Sequence, residues 1–291
     1  MTPRVESTEA EPRLLEWVGL VVLVIFTASA VLGYWTFGLH PNLIPDNDFA
    51  RNFFGLSFKL FARGHIVVAG VVLAIKLYRH SDLRWLAGLG AVAFLSFLAE
   101  HIGTGYGFPF GGYEYTGLLG YKLGGRVPFL IPISWFLMAL PAWILASMIF
   151  PTRRATVPRL IMGAYLLTAW DLALDPAMSF LTPYWVWENP GPFYGMPWIN
   201  LAGWMGTGLI LMGALEILKV RSWTAKLDVR WVLAYYLVVL LMPVGMLAAS
   251  GIWVPILATF VALVLPIGWV VSSMYYKRPA KQLKLVGGKL G

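Results

Sequence analysis

Eight long apolar runs limit what this chain can fold into. They lie at residues 15–37, 57–78, 84–101, 127–150, 157–177, 198–218, 230–249 and 252–276. Each is about long enough for a helix to cross a hydrocarbon core of ~30 Å at ~1.5 Å per residue. The sequence therefore predicts an all-α, polytopic membrane helix bundle of about eight transmembrane helices, with residues 1–291 forming a single integral membrane domain.

The positions of the basic residues predict the topology of this bundle. Lysine and arginine are concentrated in every second connection, near 76–84, 153–159 and 219–230, and again in the tail at 277–289. Because basic loops stay on the cytoplasmic side, we expect both termini in the cytoplasm and the protein in the cell (cytoplasmic) membrane. The net charge of +8 belongs to this pattern, so we expect no nucleic-acid partner.

Ionisable side chains inside the predicted spans are few and lie toward the non-cytoplasmic end. His65 is early in the second run, Glu100 and His101 end the third, and Asp171 and Asp175 are late in the fifth. Intramembrane ionisable groups are costly, so each is a candidate for function. We predict that they form one cluster beneath the long connections at 38–56, 102–126 and 178–197.

Asp171 and Asp175 are four residues apart, which places both on one face of a helix. Two close carboxyl groups in a low dielectric resist ionising together, so the pair is expected to retain a proton and serve as a general acid. An alternative holds for Asp175, which precedes Pro176 and therefore also fits a helix cap followed by a first turn.

A glycine-rich run follows the third apolar run. Five glycines between 103 and 112 argue against a stable helix there. We predict an ordered loop, re-entrant in its simplest form, that brings Tyr113, Glu114 and Tyr115 over the site. The alternative is an interfacial loop whose aromatic residues anchor at the lipid headgroups.

Aromatic residues are unusually frequent on the side that carries the acids. Aromatic faces stabilise cations, so an aromatic pocket with protonated carboxyl groups suits carbocation chemistry, although an aromatic membrane belt gives the same composition. The residues expected to contact a substrate are Tyr113, Tyr115, Trp135, Trp170, Trp187, Trp204, Asn200 and His65.

The composition argues against thiol chemistry and against a histidine-rich metal site. There is no cysteine and there are only four histidines, too few for a histidine-rich di-iron site. A carboxylate–histidine metal site built from Glu100, His101, Asp171 and His65 is conceivable. We favour an interpretation with no metal and no cofactor.

Several separated motifs, in order, resemble one family over roughly residues 60–220. The motifs are Glu100-His101 with the run from Tyr106 to Tyr115; Val127-Pro128, Ile131-Pro132 and Trp135; Trp170-Asp171 to Asp175-Pro176 and Met178; and Trp187-Glu188, Tyr194 to Pro197, Asn200, Gly203 and Trp204. With these motifs the chain resembles the CruF-type carotenoid 1,2-hydratases, the membrane proteins of the bisanhydrobacterioruberin hydratase family.

The resemblance implies addition of water to the terminal C1–C2 double bond of an acyclic carotenoid, such as lycopene or γ-carotene, without a redox cofactor. Expected partners are the carotenoid, water, membrane lipid and other carotenoid-pathway enzymes. From the residues themselves we expect Asp171 or Asp175 to be the acid, and Glu100, His101 or Glu114 to orient the water or return the proton. The alternative is a proton-coupled transporter, or a lipid- or polyene-binding protein without catalysis.

Overall fold

The computed structural model describes residues 10–276, with side chains from 17 to 275. Within that range, eight helices are long and apolar enough to cross a membrane, which confirms the predicted all-α bundle. They are α1 (Ala10–Gly33), α2 (Asp48–His80), α3 (Arg84–Tyr106), α4 (Leu130–Ile149), α5 (Thr156–Asp175), α6 (Trp198–Ile217), α8 (Val229–Ala249) and α9 (Trp253–Tyr276), with a short α7 (Val220–Trp223) before α8.

Helix α4 is the centre of the bundle. Its sequence, LIPISWFLMALPAWILASMI, is apolar on every face, and 16 of its 20 residues are buried. A helix that is apolar all round is stable when other helices cover all of it. Helices α2, α3, α5, α6, α8 and α9 pack around α4. Most side chains of α4 therefore lie in the protein interior.

Two of the long connections meet at one end of the bundle, which we call the loop end. Strand β1 (Tyr113–Tyr115) pairs antiparallel with β4 (Trp185–Trp187), so that Tyr113 faces Trp187 and Tyr115 faces Trp185. Side chains alternate between the two faces of a strand. The four aromatic rings therefore point into the bundle, whereas the middle residue of each strand is exposed. A second pair, β2 (Lys122–Leu123) and β3 (Val127–Pro128), completes this end.

The helical paths of α2 and α5 extend beyond their predicted boundaries. Helix α2 begins at Asp48, nine residues before the predicted span at 57, because Asn47 caps it by accepting a hydrogen bond from the Ala50 amide at 2.8 Å. The helical path of α5 continues beyond 177 as a π-helical segment, Pro176–Leu181. A similar π-helical segment, Tyr34–Gly38, follows α1 and ends within one residue of the predicted boundary at 37.

The glycine-rich run does not end α3 where we expected. Helix α3 continues through Gly103 and Gly105 to Tyr106, and it ends at Gly107, whose φ of 73° is the left-handed conformation that terminates helices. Gly103 is instead needed for close approach, because a Cβ atom there would lie 2.9 Å from the Phe110 ring. The rest of the run forms the predicted ordered loop.

The opposite end of the bundle carries the basic connections. Arg159 is 1% exposed there and pairs with Glu216 at 2.7 Å. The basic tail of the topology prediction, Lys277, Arg278, Lys281, Lys284 and Lys289, lies outside the described residues. The assignment of this end to the cytoplasm remains a prediction.

Candidate active site

Glu100 is held by three neutral donors near the end of α3. Its side chain is buried, and Oε2 accepts hydrogen bonds from the hydroxyls of Tyr113 and of Tyr115, the latter at 2.9 Å. Oε1 accepts a hydrogen bond from Nε1 of Trp135 on α4, at 2.8 Å. Strand β1 and helix α4 therefore fix the carboxyl group from two sides.

The two tyrosine hydroxyls are permanent donors. Burial, followed by the charge of Glu100, raises the pKa of Tyr113 and of Tyr115 well above the ordinary value of about 10. Both phenols therefore stay protonated throughout the physiological pH range. Their proximity to Glu100 follows from the alternation of β1, which points both rings the same way.

Asp175, the last residue of α5, has four hydrogen-bond donors around it. Oδ1 accepts from Ser179 Oγ at 2.7 Å and from Trp187 Nε1 at 3.2 Å, and Oδ2 accepts from Trp185 Nε1 at 3.2 Å and from Asn200 Nδ2 at 3.5 Å. The side chain makes no capping hydrogen bond to the segment that begins at Pro176. Asp175 thus occupies the position before Pro176 that the alternative of a helix cap expects, but its side chain bonds the site and not the helix backbone.

Asp171 lies one turn earlier on α5 and is completely buried. Its Oδ2 accepts a hydrogen bond from Asn200 Nδ2 at 2.7 Å, while Oδ1 has no protein partner. The amide of Asn200 thus contacts both aspartates, and it connects α6 to the pair on α5. The donors to these carboxyl groups are neutral amide, hydroxyl and indole groups.

A cavity of about 560 Å³ opens beside these carboxyl groups. That volume is within the usual range for small-molecule sites. Glu100 and Asp175 line the cavity, whereas Asp171 lies behind its wall. The remaining lining is mainly hydrocarbon and aromatic, and it includes Trp135 and Trp204, whose rings stack with centroids 4.3 Å apart.

All of the residues that the sequence assigned to substrate contact line this one cavity. They are Tyr113, Tyr115, Trp135, Trp170, Trp187, Trp204, Asn200 and His65. Two of them present buried nitrogen atoms that have no protein partner, Nε2 of His65 and Nε1 of Trp170. Both nitrogen atoms are buried, in residues whose other atoms line the cavity.

Three predicted catalytic residues, Asp171, His101 and Glu114, do not line the cavity, which corrects the expectation of a single cluster. Asp171 lies behind the cavity wall, in contact with Asn200. His101 follows Glu100 on α3 and is therefore rotated by about 100° around the helix. Its ring packs on Phe97, at 5.4 Å, and beside the turn at Gly124. Glu114 points to the outer face of β1, where its side chain is 87% exposed and lies 4.0 Å from Lys122 Nζ.

Sequence reasoning missed several residues of the site. Trp185 donates to Asp175 and is two residues from Trp187, so the alternation of a strand was the signal for it. Ser179 is four residues after Asp175, a spacing that places two residues on one helical face. The aromatic residues of α2 that line the outer cavity, such as Phe53 and Phe58, gave no distinguishing signal.

The conceivable metal site is not assembled. Among the described residues, no three His, Cys, Asp or Glu side chains are placed to hold a metal ion. Glu100 and His65 reach the cavity, but His101 and Asp171 do not.

Fold and site together define a polytopic helical membrane protein with carboxyl groups at the wall of an aromatic cavity. The chain belongs to the carotenoid biosynthesis protein family, whose model matches residues 61–266. Bisanhydrobacterioruberin hydratase of Haloarcula japonica is 33% identical over 169 residues, 58% of this chain and 55% of that protein. The match thus spans little more than half the length of that relative. No solved structure matches.

Proposed function

We propose that this protein is a carotenoid 1,2-hydratase, which adds water to the terminal C1–C2 double bond of an acyclic end group such as that of lycopene or γ-carotene. The observation that carries the proposal is the pair of buried carboxyl groups, Glu100 and Asp175, facing a cavity walled mainly by hydrocarbon. Family membership and the hydratase activity named for the Haloarcula relative support the reaction class.

The first step is proton transfer from Asp175 to C2. Asp175 lines the cavity, and Asp171 sits behind it on the same Asn200 amide. Two carboxyl groups so close together in a low dielectric do not both ionise, so the pair keeps one proton for the alkene. The C1–C2 π electrons form the new C–H bond, and C1 becomes a tertiary cation.

Aromatic ring faces stabilise that cation. The stacked pair of Trp135 and Trp204 forms part of the cavity wall beside the carboxyl groups. An aromatic face attracts a cation by about 0.5–2 kcal/mol, most strongly when water is excluded. The apolar wall also limits the number of water molecules that compete for the cation.

Capture by one water molecule completes the reaction. The water oxygen bonds to C1, and the released proton passes to the Glu100 carboxylate, whose orientation three neutral donors fix. Transfer of this proton back to the aspartate pair restores the acid. Hydrogen and hydroxyl are added and no electrons are exchanged, so the reaction requires no redox cofactor.

We place the reaction in the membrane because the carotenoid substrate dissolves in lipid. The protein acts as one integral domain of the cell (cytoplasmic) membrane, beside the pathway enzymes that supply or consume the carotenoid. The aromatic cavity, about 560 Å³ in volume, takes up the end group from the bilayer.

Expression in a lycopene-producing host tests the proposal. We expect a new pigment heavier than its precursor by one water molecule, with a tertiary alcohol at C1. The matched variants are Asp175→Asn, which should give no product, and Glu114→Gln, which alters an exposed carboxyl group and should give the wild-type yield. Absence of hydrated product from every acyclic carotenoid supplied would support a transporter or a binding protein instead.

A further inference from the structure

The cavity continues from the carboxyl groups to the side of the bundle. Its outer wall comes from α1, the π-helical segment Tyr34–Gly38 and α2. We call the part of this wall with the exposed aromatic residues Phe37, Phe49 and Phe53 the mouth. Their exposed fractions are 41%, 81% and 63%. Exposed aromatic side chains at the opening of an apolar cavity mark a route for an apolar molecule.

A row of aromatic rings connects the mouth to the interior. The ring centroids of Phe37 and Phe54 are 6.5 Å apart, and those of Phe54 and Phe58 are 6.3 Å apart. The Phe58 ring stacks on that of Tyr184, with centroids 6.3 Å apart. Tyr184 immediately precedes β4, whose tryptophans bond Asp175. The row therefore ends beside the carboxyl site.

The lining is elongated along α2. Between Phe49 and His65, both of which line the cavity, this helix rises about 24 Å at 1.5 Å per residue. Such a wall matches a rigid, extended molecule better than a compact one. A polyene that binds along this row of rings would lose little conformational entropy, because its conjugated chain is already rigid and extended.

The first turns of α2 have the character of a membrane interface. The helix has 33 residues and is about 50 Å long, which exceeds a hydrocarbon core of ~30 Å. Its polar side carries Asp48 and Arg51, which pair with each other at 3.1 Å, while Phe49 and Phe53 lie on the side of the mouth. This composition is typical of the boundary between headgroups and acyl chains, and the mouth opens beside it.

The other edge of the mouth is the π-helical segment that follows α1. Tyr34, at its start, is buried, lines the cavity and hydrogen-bonds through its hydroxyl to Ser250 at 3.2 Å. Tyr34 thus ties this edge to the turn between α8 and α9. Single π-helical turns inside helical segments are frequent at functional sites.

From these observations we propose that the gap between α1 and α2 is a lateral portal, through which the acyclic end of a linear polyene enters from the bilayer. The end group reaches Glu100 and Asp175, and the conjugated chain stays along the aromatic row. This portal rests on the proposed hydratase function for its occupant, but its geometry is testable without turnover.

A matched pair of glycine variants tests the route. Gly33 lines the cavity and Gly55 does not, and a Cβ at either position meets no atom within 4 Å. Gly33→Phe should fill the portal and lower hydration of lycopene in membranes about tenfold or more, because the end group no longer reaches its productive position. Gly55→Phe should hydrate at the wild-type rate. Equal, undiminished rates in both variants would overturn the portal while leaving the hydratase proposal intact.

Photocrosslinking tests occupancy independently of catalysis. A photoreactive phenylalanine analogue is placed at Phe53, at the mouth, or at Leu60, an exposed residue of the same helix outside the lining. Lycopene should crosslink at position 53 and much less at 60, in the wild-type background and in Asp175→Asn. Equal crosslinking at both positions, or none at 53, would contradict the portal. Specific crosslinking at 53 without hydration in any background would leave the portal standing and remove the hydratase function.

Discussion

The two ends of this bundle bury charged groups in different ways. At the basic end, Arg159 is paired with Glu216 and donates further hydrogen bonds to the carbonyls of Phe150 and Thr152. At the loop end, Glu100 and the aspartate pair have only neutral donors. A paired charge stabilises a fold at its position, whereas carboxyl groups without a cation can exchange protons. This difference separates a structural cluster from a reactive one.

The strongest test of the reactive end is Asp175→Asn. The amide has nearly the same shape but cannot donate the acidic proton, so we expect hydration to fall by about 10³-fold or more, as for loss of a general acid. The carotenoid product formed per folded protein in membranes is the measurement. A rate within a few fold of wild type would exclude Asp175 as the acid.

The structural end should respond in stability and not in catalysis. Arg159→Met removes the cation and its hydrogen bonds to Glu216 and to two backbone carbonyls, at a cost of about 3 kcal/mol in the free energy of unfolding. Thermal unfolding in detergent measures this loss. The exposed Arg153→Met is the control and should change stability by less than about 0.5 kcal/mol. A large loss of hydration per folded Arg159→Met molecule would break the distinction between the two ends.

Asp171→Asn should have an intermediate effect. Asp171 does not reach the cavity but shares Asn200 with the acid, so we expect a decrease in hydration rate of about 10- to 100-fold. The double variant with Asp175→Asn should be no slower than Asp175→Asn alone, because residues that act as a unit are not additive. If Asp171→Asn were the slower of the two single variants, Asp171 would become the proton donor.

The smallest expected effect is that of Tyr115→Phe. Glu100 keeps its bonds from Tyr113 and Trp135, so stability should fall by about 1 kcal/mol and hydration only a few fold. Since the pKa of Tyr115 is raised, the ratio of the two rates should be the same at about pH 7 and at about pH 10. Tyr121→Phe, at a ring 74% exposed, should match wild type throughout.

The sequence predicts the bundle well because each transmembrane helix can be recognised from its own apolar run. It predicts the start of α2 poorly, since the segment from Asp48 to Leu56 mixes charged and aromatic residues and differs from an apolar run. The carboxyl groups were recognisable by their cost in a membrane. Which of the two aspartates faces the substrate was not recognisable, because only packing shows that Asp175 reaches the cavity and Asp171 does not.

Long-range strand pairing explains the remaining differences at the site. Nothing local in the sequence predicts that β1 pairs with β4, more than sixty residues away in the chain. Once the pairing is known, alternation assigns Tyr113 and Tyr115 to the interior and Glu114 to the surface. The sequence alone had grouped these three adjacent residues together.

Hydration in D₂O is the most direct test of the central claim. Protein reconstituted in lipid vesicles with lycopene should give a 1-hydroxy product with one deuterium bound to C2, delivered by the exchanged carboxyl group of Asp175. The Asp175→Asn protein, folded and reconstituted in the same way, should give none. A product without deuterium at C2, or equal product from the variant, would contradict acid catalysis at this site.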